Sequence, residues 1–278
     1  MFDPNNFFNS ILVIPILNVL MGIYTLLNYL KIPGALGLSL IILTVAIRLL
    51  LTPLTSTQLK SANKLKELKP ELDELAKKFK NDKTRLNQEQ LKLYQREGIN
   101  PAAGCLPLLL QMPILIALYN LFFKILAGSD MNTVIAEINK VIYYPFLRIS
   151  TLDLSFFGLN LAHKPSDWQK AGWFLLLVPI ITAILQYWQT KLMTVSQGVS
   201  NQTKIKDSVD KSAEKKDNKA DMGEAMQKQM GLMMPLMIGF FAYSFPLGLS
   251  LYWNTFTVFG IIQQNSLNKS FQKKKQQL

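Results

Sequence analysis

The chain is poor in the residues that reactive chemistry most often uses. Cys105 is its single cysteine, so no disulfide forms within the chain. His163 is its single histidine and lies far from Cys105 in sequence, which argues against a metal site or a thiol–imidazole pair. There is no Gly-rich phosphate loop and no dinucleotide fingerprint. Serines in the apolar stretches have no neighbouring His or Lys. Acids are scarce as well: 18 Asp and Glu stand against 30 Lys and Arg, a net charge of +12. None lies in the long apolar blocks, whereas a proton-coupled pump would usually place one at membrane depth. An intramembrane enzyme is therefore not expected, and no metal or cofactor is implied. The N-terminus has no basic n-region and no clear small-residue cleavage site, so no removable signal peptide is expected.

What the chain has instead is apolar sequence without charge. It is 278 residues long and 49% hydrophobic. Uncharged runs separate Glu97 from Lys124, Lys170 from Lys191, and Lys228 from Lys269. The last is long enough for two membrane spans, with a break at Pro246-Leu247-Gly248. Residues 34–59 read GALGLSLIILTVAIRLLLTPLTSTQL, and their only charge is Arg48. Each block is near the ~20 residues that a bilayer requires. The expected fold is an all-α polytopic membrane protein with five spanning helices: 34–59, 104–126, 171–191, 230–246 and 247–268.

Arg48 lies roughly 15 Å along the first span from Gln58, at a rise of ~1.5 Å per residue. A lone cation at that depth costs on the order of 3 kcal/mol on insertion scales. With no acid available, its partners are neutral. The uncharged polar residues in the spans are Gln111, Asn120, Gln186, Gln189, Asn254 and Thr257. Two readings follow. The charge awaits an external anionic or polar group, or it is satisfied by backbone carbonyls, glutamines and lipid phosphate.

Basic residues set the orientation. There are 11 between Leu51 and Cys105, 8 from Lys191 to Lys228, and 4 from Lys269 onward. The loop at 127–170 holds 4, and Lys31 stands alone before the first span. The positive-inside rule places the rich segments and the C-terminus in the cytoplasm, and the alternation is consistent across five spans.

The connecting segments have their own patterns. Residues 11–30 are apolar but broken by Pro15, Asn18 and Asn28, which fits either a sixth span or a helix in the outer interface. The polar residues ahead of the segment and the lack of a basic anchor favour the interface, so 1–33 is taken as an outer interfacial segment. Residues 60–103 predict a cytoplasmic helical hairpin. Leu65, Leu68, Leu72, Leu75 and Phe79 form a stripe, Pro70 bends the first arm, Thr84 caps the second, and Gly98 closes it. Its surface is either simply solvated or meets anionic lipid, ribosomal RNA or a nascent chain. In the outer loop, 127–170, and just beyond it, Tyr143, Tyr144, Phe146, Phe156, Phe157, Trp168 and Trp173 fit an aromatic belt. The loop at 192–229 is polar and charged enough to be disordered. The fourth span follows Met222 and Met226 and carries Met230, Met233, Met234 and Met237, which suits adaptable packing or a receptive apolar surface. Residues 269–278 form a basic tail.

Three segments carry a family resemblance: IILTVAIRLLLTPLTSTQLKSANKLKELKPEL, YQREGINPAAGCLPLLLQMPILIALY and FPLGLSLYWNTFTVFGIIQQ. Their residues, their order and the charged hairpin resemble the YidC/Oxa/Alb membrane protein insertases. Lacking a large extracytoplasmic domain ahead of the first span, the chain resembles the compact bacterial members. The resemblance implies a hydrophilic groove, open to cytoplasm and lipid and closed outside, whose one positive charge is Arg48. It also implies groove-lining roles for Gln186 and Trp253, with Tyr252 adjacent. Gln111 and Asn254 complete the candidate groove set. Implied partners are nascent membrane proteins and lipids, with the ribosome and the Sec translocase as further candidates and no DNA. The implied place is the bacterial inner membrane. Two other classes compete: a transporter or channel, against which the chain shows no inverted repeats, and a membrane scaffold, which leaves Arg48 unexplained.

Overall fold

The computed structural model describes residues 3–98, 106–126, 130–196 and 233–276. Those residues are mostly helical. A π-helical turn, Asn9–Val13, leads into α1, Ile14–Tyr29. Pro15 lies just past the π-helical turn, and the helix runs on through it without a break. A tight turn with Lys31 and Gly34 in left-handed conformations reverses the chain into α2, Ala35–Leu50.

The 34–59 block is not one uninterrupted helix. α2 closes at Leu50, and α3, Thr52–Glu67, restarts with Pro53 at its second residue, a position that suits proline. The same device recurs one element later: α4, Lys69–Lys78, has Pro70 in its first turn. α5, Lys83–Arg96, is capped by Asp82, whose carboxylate accepts from the Arg85 N–H at 2.9 Å. This corrects the expected cap at Thr84, because Asp82 reaches the free N–H first and leaves Thr84 inside the first turn. α4 and α5 form the hairpin. Leu68 and Leu93 are buried between its arms with Leu72, Leu75 and Tyr94 packed around them. Arg96 bridges the arms by bonding Glu71 at 2.9 Å, and Lys92 holds the Glu89 carboxyl below its usual range.

α6, Leu106–Leu126, contains Pro113 and runs on through it. α7, Met131–Lys140, is followed by a two-stranded hairpin, β1 Ser155–Phe156 with β2 Leu159–Asn160. The short α8, Trp168–Ala171, is followed by a left-handed Gly172 and then α9, Leu177–Ser196. α10, Met233–Ser244, leads to α11, Leu247–Gln276, which continues as one helix through most of the expected 269–278 tail. Among the described residues, Asn9–Tyr29 and Trp173–Leu192 are long and apolar enough to cross a membrane. Ala35–Leu50 and Met233–Ser244 are apolar but shorter. The 192–229 loop lies largely outside the described residues, as do Cys105, Met222, Met226 and Met230.

The main core gathers at one end of the bundle. It joins α1, the first half of α2, the second half of α6, α7, the segment 141–161 and the start of α11. Polar residues fasten it. Asn18 donates to the carbonyls of Ile14 and Val141 and accepts from the Tyr143 N–H, at 2.9, 3.0 and 2.8 Å. The Tyr24 hydroxyl donates to the Thr151 carbonyl and accepts from the Asp153 N–H. Asn139 makes a two-way bridge to the Ile149 backbone. The first N–H groups of α11, Leu247 and Gly248, donate to the His163 and Leu161 carbonyls, both at 2.8 Å. The free donors at a helix start are thereby satisfied.

The aromatics of the outer segment divide. Tyr143, Tyr144, Phe146, Phe157 and Trp173 are exposed. Phe156 and Trp168 instead pack against the core. The Phe156 ring fills the notch left by Gly34 and Gly37, where a Cβ on either glycine would strike it. Proximity to the glycine notch takes Phe156 out of the expected belt.

Candidate functional site

Below that core, α11 lies against α2 on one side and α9 on the other, and the interior turns polar. Arg48, near the end of α2, is 8% exposed. Its Nη2 donates to the Phe256 carbonyl at 2.8 Å, and its guanidinium carbon stands 3.4 Å from the centroid of the Phe256 ring. One residue of α11 thus supplies both contacts. The carbonyl takes a proton donor edge-on while the ring's negative face meets the cation. The Arg48 Nε is buried with no acceptor among the described residues. None of the ion pairs among those residues involves Arg48.

A polar line runs along the same face of α11. Trp253, one turn nearer the core, donates its indole N–H to Gln186 Oε1 of α9 at 3.2 Å. Gln263, farther along, donates to Thr55 Oγ1 at 2.7 Å and to Thr52 Oγ1 at 3.3 Å, which ties α11 to α3. Spacings of three and four residues through Trp253, Phe256, Gly260 and Gln263 put these positions on one helical stripe. Across from it, the Ser39 and Thr44 hydroxyls return to their own helix, donating to Ala35 and Leu40 carbonyls at 2.6 Å. The hydroxyls of Ser250 and Thr257 are buried without a partner among the described residues. A guanidinium in such surroundings has lost most of its water, and its field reaches an approaching anion with little screening.

The expected site residues do not all converge. Arg48, Gln186 and Trp253 lie along the α2–α11–α9 contact. Tyr252 is 1% exposed within the main core, its ring centroid 6.3 Å from that of Phe256. Asn254 turns to the opposite flank. It lines a cleft of about 340 Å³ with Val45, Thr255, Val258, Phe259 and Ile262. The rotation of about 100° per helical residue separates three neighbours in sequence. Gln111 lies in α6, but its side chain is outside the described residues. Two residues were missed from the sequence, Phe256 and Gly260. Their signal was their spacing, three and seven residues after Trp253.

Fold and site together define a helical membrane protein with one buried cation seated among neutral groups. The family model for the 60Kd inner membrane protein matches residues 26–275. A relative named membrane protein insertase YidC from Rickettsia felis is 33% identical over 241 residues, covering 85% of this chain and 36% of its own. Another so named from Oceanobacillus iheyensis is 30% identical over 280 residues, covering 98% of this chain and 88% of its own. The chain thus spans little more than a third of the Rickettsia relative's length. It belongs to the 60Kd inner membrane protein family, a bacterial inner-membrane family.

Proposed function

We propose that this protein is a membrane protein insertase, which moves segments of newly made membrane proteins from the cytoplasm into the bilayer and helps them fold. The observation that carries this reading is Arg48, a buried cation whose partners among the described residues are the neutral carbonyl and ring of Phe256. Such a group attracts an anion, and no acidic side chain among the described residues pairs with it.

In this reading the five spans are residues 34–59, 104–126, 171–191, 230–246 and 247–268, surrounding a groove open to cytoplasm and lipid. Arg48, Gln186 and Trp253 line it, with Gln111, Tyr252 and Asn254 at its margins. α1 lies along the outer interface, which the bonds of Asn18 and Tyr24 to segment 141–153 support. The hairpin at 60–103, the loop at 192–229 and the tail at 269–278 face the cytoplasm. The hairpin receives nascent chains, with the ribosome and the Sec translocase as further partners. No chemical reaction and no nucleotide are needed. An acidic N-terminal tail is drawn toward Arg48 through the groove, where reduced screening strengthens the attraction. The tail crosses only part of the hydrophobic thickness before release outward. The following apolar segment moves sideways into lipid, driven by its transfer out of water.

The test uses liposomes containing only this protein and a single-span client with an acidic N-tail. Protease protection of the tail is measured for wild type, Arg48→Ala and Arg48→Lys. Protection is expected with wild type, lost with Arg48→Ala and largely kept with Arg48→Lys, because a point charge suffices for attraction. Equal loss in both variants would sink the electrostatic mechanism. Protection in all three would move the mechanism to apolar packing. No protection with wild type would favour a scaffold, and tail-independent ion flux would favour a channel.

A further inference from the structure

We infer that Gly260 is a positioning residue that seats the Arg48 guanidinium, so that the strength of selection for acidic client tails is set from α11 as well as from α2. The inference rests on the reading of Arg48 as the anchor for those tails. A Cβ added at Gly260 would lie 2.8 Å from Arg48 Nη2 and 2.7 Å from Gln189 Nε2, closer than real side-chain contacts come. Both neighbours are the far ends of long side chains, so they would move before the helices did. For Gln189 a shift changes one amide. For Arg48 it changes the whole arrangement, because its two contacts come from one residue one turn away. The carbonyl bond at 2.8 Å and the ring at 3.4 Å are lost together when the planar group is pushed off Phe256. The seat also leaves Nε without an acceptor, so it holds the cation in place without using all of its donors. A glycine at 260 therefore keeps the guanidinium fixed on Phe256.

A plain packing role for Gly260, letting α11 approach α9, is the rival account, and the lysine variant separates the two. Lysine ends in a compact ammonium on a flexible stem and lacks the planar fork that meets position 260. The experiment measures tail protection in liposomes for an acidic-tail and a neutral-tail client. The proteins are wild type, Gly260→Ala, Arg48→Lys, Arg48→Lys/Gly260→Ala and Arg48→Ala. Gly260→Ala is expected to lower acidic-tail protection to the Arg48→Ala level while sparing the neutral client. In the lysine background the same alanine should have no effect. Equal loss for both clients, or a loss that persists in the lysine background, would overturn the inference in favour of packing or Gln189. Full protection with Gly260→Ala while Arg48→Ala fails would also overturn it. Failure of Arg48→Ala to matter would instead remove the reading beneath it. If Arg48→Lys is itself inactive, the ratio of acidic to neutral client in Gly260→Ala decides.

Discussion

The two ends of the helix bundle handle polar groups in opposite ways. At the end covered by segment 130–172, Asn18, Tyr24 and Asn139 each bond two or three backbone groups, and an apolar core fills the space between them. At the other end Arg48 keeps a buried donor unmatched, and glutamines and threonines link the helices. Paired bonds hold the first end, since breaking one leaves a buried group without water, and the buried Thr25 hydroxyl of α1, without a partner among the described residues, takes no part in them. Under the proposed function, the unmatched cation is what makes the second end receptive. With Arg48 as the binding group of the proposed function, holding and binding are separated along the length of the same helices, and α2 and α11 take part in both.

Three substitutions away from the cation test that division. Phe122 is fully buried, its ring against Gly248 at the start of α11. Phe122→Ala is expected to cost about 3–5 kcal/mol, the usual range for emptying a buried aromatic site, read as a fall in the thermal unfolding midpoint in detergent. An unchanged midpoint would mean that the covered end is not the stable one. Asn18→Ala comes next, at about 1–3 kcal/mol, because the Tyr143 N–H and the Val141 carbonyl lose their partner. Its signature is faster hydrogen exchange at Tyr143, and unaltered exchange would break the claim that α1 fastens this segment. The smallest effect is expected from Arg96→Gln in the hairpin. That guanidinium and Glu71 are largely exposed and Glu97 is partly so, and such ion pairs add little. Hairpin helicity by circular dichroism should stay as in wild type, and a large loss would show that water-exposed charge stabilises here as well.

Much of this was legible in the sequence because bilayer physics leaves long, uncharged marks. The apolar blocks, the hairpin stripe at Leu68, Leu72 and Leu75, and the isolation of Arg48 all follow from one-dimensional patterns. What was not legible depends on rotation and distance. Sequence order groups Tyr252, Trp253 and Asn254 together, but helical rotation sends them to the core, to Gln186 and to an outer cleft. Phe256 read as one more apolar residue until α2 placed a guanidinium on its face. Phe156 read as an interfacial aromatic because nothing in its own neighbourhood reveals the notch at Gly34 and Gly37, some 120 residues earlier. Asn18 and Asn28 looked alike as blemishes in an apolar helix, yet Asn18 is a buried strap and carries three bonds.

The contacts of segment 130–172 also order the protein's own manufacture. Phe156 fits into α2, which leaves the ribosome before it, and the Leu161 and His163 carbonyls cap α11, which leaves after them. The segment between them must be in position before either contact forms. Until α11 arrives, the two carbonyls have no helix to cap and the Phe122 ring has no Gly248 to rest on. The covered end is therefore completed only after residue 248 has been made, and a chain cut short before residue 247 would carry Arg48 in a bundle that has never been closed.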